Sequence, residues 1–195
     1  MATYLVKALK FKAIDESGID WMGSDEPLWV FTANSAGQVS TCRSREFGDV
    51  DSGDTVTFDA ANDKNTVWPS KGDAQGAPGP IGLAIQLWEI DLGDPDDITK
   101  KTEKALDLAQ WAPVVGSWVG KARGVIRDSL VNLIADDLMG SRTLLWSSGL
   151  LERRLPRPGS SFVEKFRFSG RSGDLPFDVA GGPDYDLWVR VRRVS

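Results

Sequence analysis

Hydrophobic and polar residues alternate along several stretches of the chain with the two-residue period of a β-strand. In the first stretch we expect Leu5, Leu9, Phe11 and Ala13 on one side, with Lys10 and Lys12 opposite. The predicted strands are Tyr4–Ile14, Leu28–Ala33, Gln38–Arg45, Thr55–Phe58, a run beginning at Leu83, Phe162–Phe168 and Tyr185–Val194. Short runs of Gly, Pro, Asp and Asn separate them, which indicates turns.

The period changes to that of a helix between Asp97 and Gly140. We predict helices over Ile98–Trp111 and Val114–Leu138, with Pro113 ending the first and Gly140 stopping the second. The order of strands, a helical pair and more strands predicts an all-β sandwich of antiparallel strands with an inserted α-helical hairpin. We expect one domain over residues 1–195, with the insertion at 98–139.

The composition excludes several classes of chemistry. The chain has no His and one Cys, so it cannot build a Ser-His-Asp or Cys-His catalytic site, a His-ligated zinc or haem, or a disulfide. We therefore expect no enzymatic activity, with a carboxylate-based hydrolase as a distant alternative. The first residues show no secretory signal, and no apolar run reaches the roughly 20 residues of a transmembrane helix, so we expect a cytoplasmic protein or one exported by a signal-less route.

Charge is distributed unevenly along the chain. The net charge is −5, with most of the Asp and Glu in the first hundred residues and an excess of Lys and Arg after them. An acidic half repels phosphates, which argues against nucleic acid as a partner. The basic half can still meet an anionic lipid surface.

Two acidic segments each leave a predicted strand. The first runs from Asp15 to Pro27, and the second is the end of the stretch from Leu83 to Asp97. Carboxylates this dense repel one another unless a cation offsets them, and oxygen ligands suit a hard cation such as Ca²⁺ better than they suit Mg²⁺, which retains its waters. The candidate metal ligands are Asp15, Asp20, Asp25, Glu26, Glu89, Asp91, Asp94 and Asp97. The alternative is that these side chains are solvated or cap turns.

The first acidic segment resembles the first calcium-binding loop of C2 domains, in which an Asp precedes Ser-Asp-Pro and an aromatic residue. Asp20 and Asp25 would be the ligands and Trp29 the aromatic. Here Glu26 is inserted before Pro27.

The second segment resembles the third C2 loop, which follows a strand ending in Trp-Asp-x-Asp with a further Asp six residues on. Glu89, Asp91 and Asp97 stand at those spacings after Trp88. The sequence Asp-Asp-Leu-Met-Gly, which in C2 domains follows directly, comes here only after the helical pair, so either Asp97 or Asp137 would complete the site.

The resemblance implies a C2-like, calcium-binding module that is not an enzyme and docks on a membrane surface or a partner protein. An alternative function is that of a toxin-like or effector-like protein whose helical hairpin interacts with membrane. Small residues at Ala112, Gly116, Gly120 and Gly124 would let another helix approach closely.

Overall fold

A computed structural model describes residues 1–15, 26–59, 66–69, 76–89, 96, 98–102, 115–125, 138–169 and 183–195. Its strands are β1 (Thr3–Asp15), β2 (Pro27–Ser35), β3 (Gln38–Glu46), β4 (Thr55–Thr57), β5 (Thr66–Trp68), β6 (Ala77–Pro78), β7 (Ile81–Glu89), β8 (Leu138–Trp146), β9 (Ser161–Ser169) and β10 (Asp184–Arg193). Its helices are α1 (Val115–Val125) and α2 (Ser148–Arg154).

The strands form two antiparallel sheets, which confirms the predicted β-sandwich. Sheet 1 has the order β4-β1-β10-β9, with the short β5 and β6 also paired to β1, and sheet 2 has the order β3-β2-β7-β8. Aromatic rings join the two layers: Phe11 of β1 lies 5.6 Å from Trp29 of β2, and Trp29 lies 5.0 Å from Phe168 of β9, measured between ring centroids. The predicted inward face of the last strand is confirmed, because Tyr185, Leu187, Val189 and Val191 are fully buried.

Sheet 2 is covered on its outer side as well. Strands β2 and β7 bury both of their faces, and a second apolar cluster forms where Trp118, Val119 and Ala122 of α1 pack on Ala84 and Trp88 of β7. Residues 98–102 are helical too, inside the first predicted helix, and α1 lies inside the second. Residues 103–114 and 126–137 of the predicted helical region lie outside the described residues. In the described part of the chain, no helix has the length and hydropathy to cross a membrane.

Two predicted details are wrong. The long helix cannot reach Leu138, where β8 begins, and Gly140 lies inside that strand opposite Leu87 instead of ending a helix. In β1 the core residues are Tyr4, Val6 and Ala8, and the predicted Leu5 and Leu9 are only half-buried. A β-bulge at Leu9 shifts the alternation by one residue, so the prediction holds again from Phe11 onward.

Parts of the regular structure were not predicted. Strands β5 and β6 lie in a region, residues 62–80, whose Gly, Pro and Asp content indicated only loop. Helix α2 begins after Ser147, whose hydroxyl accepts a hydrogen bond from the Leu150 amide as an N-cap.

Candidate metal and docking site

Three of the predicted acidic ligands lie within the described residues, and each is at the end of a strand. Asp15 is the last residue of β1 and is exposed, Glu26 directly precedes β2, and Glu89 is the last residue of β7. Glu26 and Glu89 are half-buried and close in register, because Pro27 is the cross-strand partner of Glu89.

The ends of the two sheets that carry these residues coincide. Asp15 is in register with Asp184, the first residue of β10, so this is the end of sheet 1. Four residues before Asp15, the Phe11 ring packs on Trp29, which follows Glu26 by three residues in sheet 2. The acidic residues at the ends of β1, β2 and β7 therefore lie at the same end of the sandwich.

A third acidic turn at this end was not among the predicted ligands. It joins β3 to β4 and carries Asp49, Asp51 and Asp54. Two backbone hydrogen bonds attach it to β1: the Ala13 amide donates to the Asp54 carbonyl at 3.0 Å, and the Gly53 amide donates to the Ala13 carbonyl at 2.9 Å. The sequence marks this segment as an acidic turn, but its attachment beside Asp15 depends on the pairing of β4 with β1.

The other predicted ligands, which are Asp20, Asp25, Asp91, Asp94 and Asp97, lie outside the described residues. Within the described part of the chain, no three Asp, Glu or Cys residues are grouped closely enough to hold a metal ion. Asp96, which was not a predicted ligand, is ion-paired: Arg43 of β3 donates to its Oδ1 at 2.6 and 3.1 Å. The strand-end residues thus supply oxygen donors that suit a hard cation, and a complete site needs ligands from the connecting segments.

The neighbouring carboxylates of β10 have protein cations as partners. Arg167 of β9 donates to Asp186 from Nε at 2.6 Å and from Nη2 at 3.2 Å, and its Nη1 reaches Asp184 at 3.2 Å. Burial alone would raise the pKa of Asp186, but hydrogen bonds from Arg167 and Lys165 outweigh it, so the pKa lies below its usual value. The hydrogen bond to Asp186 also raises the pKa of Arg167. These two acids are neutralised within the protein, and they are poor candidates for metal ligands.

A cavity of about 400 Å³ opens between the edge strands β8 and β9. Its lining includes Arg123 of α1, Arg142 and Thr143 of β8, and Arg167. The Arg123 Nε donates to the Thr143 hydroxyl at 3.0 Å, and the Arg142 Nε donates to the Arg167 carbonyl at 2.7 Å. The first contact attaches α1 to β8, and the second joins the edge of sheet 2 to the edge of sheet 1, so the cavity has a structural explanation in the sandwich itself.

No protein-family model and no curated protein matches the chain. Among solved structures, the chain is similar to the C2A domain of plant extended synaptotagmin 1, with 11% identity, coverage of 99% of this chain and 94% of that one, and a TM-score of 0.41. It is also similar to human GIVD cytosolic phospholipase A2 in complex with an inhibitor and terbium chloride, with 9% identity, 100% of this chain covered and a TM-score of 0.40.

The chain spans only 17% of that phospholipase chain. A third structure, of CC2D1B, is 9% identical and matches 98% of this chain and 54% of its own, with a TM-score of 0.38. Similarity this distant agrees with the C2 resemblance seen in the sequence and carries no argument about function. The fold assignment rests on the two antiparallel sheets themselves.

Proposed function

We propose that the protein is a C2-like module without catalytic activity that binds Ca²⁺ at the acidic end of the sandwich and thereby docks on a membrane surface or a partner protein. The observation that carries the proposal is the convergence of Asp15, Glu26 and Glu89, from both sheets, at one end. The segments that leave these residues contain Asp20, Asp25, Asp91, Asp94 and Asp97. Rigid strand ends would fix where those segments begin, and the segments would supply most of the ligands.

The physical reason for a cation is electrostatic. Several carboxylates brought to one end of a small domain repel one another, and a bound divalent ion converts that repulsion into attraction. Segments that must order when they bind weaken the affinity, so we expect a Kd of roughly 10⁻⁵–10⁻³ M. Mg²⁺ demands a tighter octahedral shell and should bind much less well.

Thermal unfolding with and without Ca²⁺ tests the proposal. Binding to the folded state alone adds about 2.7 kcal/mol at a hundredfold excess over Kd, which for a domain of this size raises the Tm by on the order of 5–10 °C. Asp91→Asn should reduce the rise, and Asp25→Asn combined with Asp91→Asn should abolish it. Without metal, the double variant should unfold at the same temperature or higher, because repulsion is relieved.

The matched control is Glu152→Gln, which removes one negative charge from an exposed position on α2. It should leave the calcium response unchanged. If the Tm of chelator-treated protein does not change when millimolar Ca²⁺ is added, the proposal is wrong and the acidic segments are solvated turns.

The alternative function, in which the helical hairpin acts on a membrane, makes a different prediction. Helix α1 would have to leave sheet 2, exposing Trp118, which is fully buried, and Trp88 beneath it. A vesicle leakage assay separates the two functions: dye release favours the hairpin, and calcium-dependent binding without release favours docking.

A further inference from the structure

The outer face of sheet 1 is strongly basic. Strand alternation in β1, β9 and β10 turns the apolar residues inward and leaves the cations on the opposite side. The members of this basic face are Lys7, Lys10, Lys12, Lys165, Arg167, Arg190 and Arg192. The whole chain carries a net charge of −5, so a surface with this many cations departs from the average of the molecule.

The strand register places these cations side by side. Lys7 of β1 is the cross-strand partner of Arg190 of β10, and Lys10 is the partner of Trp188. Like charges directly opposite each other on a sheet are destabilising. The other cross-strand neighbours of this pair, Thr66 beside Lys7 and Val163 beside Arg190, carry no charge that would offset it.

Only part of the charge is offset within the face. The carboxylates that β10 contributes to it are Asp184 and Asp186, and Arg167 pairs with both of them while Lys165 reaches Asp186 at 3.1 Å. The two cations that β10 contributes to the face have different neighbours. Arg192 has Leu5 of β1 and Ser161 of β9 as its cross-strand partners, and Arg190 has Lys7 of β1 and Val163 of β9. The cross-strand neighbours of these two arginines thus include no carboxylate.

The centre of the face is aromatic. The half-buried Trp188 ring has the ammonium of Lys10 at 4.8 Å and that of Lys165 at 5.7 Å from its centroid. Beside it Val163 is 47% exposed, which is unusual for a large apolar side chain in this molecule. Trp and long cationic side chains are the residues that favour a membrane–water interface, because each has an apolar body and a polar tip.

We infer that this basic face docks on an anionic phospholipid surface without calcium, a function separate from the proposed calcium site. Lipid headgroups fit the arrangement because the cations cover a sheet face instead of lining a groove. Headgroups also move laterally, so zwitterionic lipids can lie under the exposed Asp15, at the corner where the face meets the acidic end. A DNA duplex has a fixed charge about every 1.7 Å and would hold phosphates against that carboxylate.

Vesicle co-sedimentation in the presence of a chelator tests the inference. The wild-type protein should bind vesicles of phosphatidylcholine with phosphatidylserine at low salt and should not bind phosphatidylcholine alone. Each cation near an anionic surface contributes about fivefold to binding, and near 1 M salt, where the Debye length is about 3 Å, the binding should vanish.

The informative variant is Lys10→Glu with Arg192→Glu, since both side chains are exposed and the substitutions spare the core. Binding should fall by at least about 25-fold. Lys101→Glu with Lys121→Glu makes the same change in net charge at exposed positions on the helical elements, and it should retain nearly all the binding. Should the first variant unfold, Lys10→Gln with Arg192→Gln removes the same cations without adding acids, and a clear loss is still expected.

Three results would overturn the inference: no binding of the wild type to phosphatidylserine vesicles in chelator, equal losses for the two charge-reversal pairs, or binding to duplex DNA without binding to vesicles. Because calcium is absent throughout, a failure here leaves the calcium proposal untouched. A protein that ignores calcium but still binds these vesicles would contradict the calcium proposal alone.

Discussion

Asp186 lies among the cations on the outer face of sheet 1, and its side chain is only 5% exposed. Burial raises its pKa, and the hydrogen bonds and charges of Arg167 and Lys165 lower it by more. The folded state therefore binds the Asp186 proton less tightly than the unfolded chain does, in which an Asp has a pKa of about 3.9. This carboxylate stabilises the fold above that pH, and its contribution is lost as the pH falls through the lower, folded value.

Asp186→Asn should therefore make the free energy of unfolding depend less on pH on the acidic side. The variant should be less stable than the wild type at neutral pH, and the difference should shrink below about pH 4. Urea unfolding between acidic and neutral pH measures this difference, with Glu152→Gln as a control that removes one carboxylate from an exposed position on α2. Parallel profiles for wild type and Asp186→Asn would show that the ion pairs do not stabilise the fold.

The contacts that Asp186 makes with Arg167 and Lys165 cannot be predicted from the sequence alone. Alternation indicates that Asp186 and Trp188 point away from Leu187. Arg167 is 19 residues earlier in the chain, and the spacing alone does not show that β9 and β10 are neighbours in the sheet. The partners of a surface charge on a strand are set by sheet order and register, which single-residue patterns do not contain.

At the scale of the element, α1 is part of the fold and covers sheet 2. Its helical period was predicted from the sequence, but the burial of both faces of β7 was not. A strand that is apolar on one side and carries Ala84, Gln86 and Trp88 on the other is ambiguous in sequence. The helical elements above it resolve the ambiguity: α1 packs on Ala84 and Trp88, and Gln86 accepts hydrogen bonds from Trp88 and from the buried Thr102 of the helical residues 98–102, both at 3.1 Å.

Trp118→Ala tests how far the helical segment is an independent insertion. Trp118 is fully buried, and truncating a buried Trp costs about 3–5 kcal/mol, so we expect a lower Tm and a cooperative transition. Lys121→Ala, at an exposed position one turn along α1, should change stability by less than about 0.5 kcal/mol. A Trp118→Ala protein as stable as wild type would favour the predicted insertion at 98–139 as a separable unit.

Errors at the scale of the element have local physical causes. Gly140 is a good helix stop in sequence, yet in β8 it permits close packing, because a Cβ there would lie 3.4 Å from Phe168. The bulge at Leu9 has no signature in the alternation of apolar residues. Its carbonyl accepts a hydrogen bond from Phe58, so the bulge is tied to the end of β4, which is distant in sequence.

At the scale of the whole molecule, the described residues form an acidic end and a basic face that meet at one corner. The acids Asp15, Glu26 and Glu89 stand out in the sequence, because carboxylates next to predicted strands are visible as a pattern. The basic face was not predicted as a surface, since its residues come from β1 near the start of the chain and from β9 and β10 near its end. The lysines of β1 also belong to the acidic first half of the chain, so the net charge of that half does not indicate a basic surface there.

These two surfaces should contribute independently to membrane binding. Substitutions at separate sites that share no partners change the free energy of binding additively. Their fold-changes in vesicle binding should therefore multiply. Lys10→Glu with Arg192→Glu should weaken vesicle binding by the same factor with and without Ca²⁺. Asp25→Asn with Asp91→Asn should remove the calcium-dependent gain and leave binding in chelator unchanged or slightly stronger, because two negative charges are lost. Co-sedimentation of the wild type, the two variants and their combination, each with Ca²⁺ and with chelator, completes the cycle. A calcium gain that disappears in the basic-face variant would show that both charge clusters belong to one composite surface.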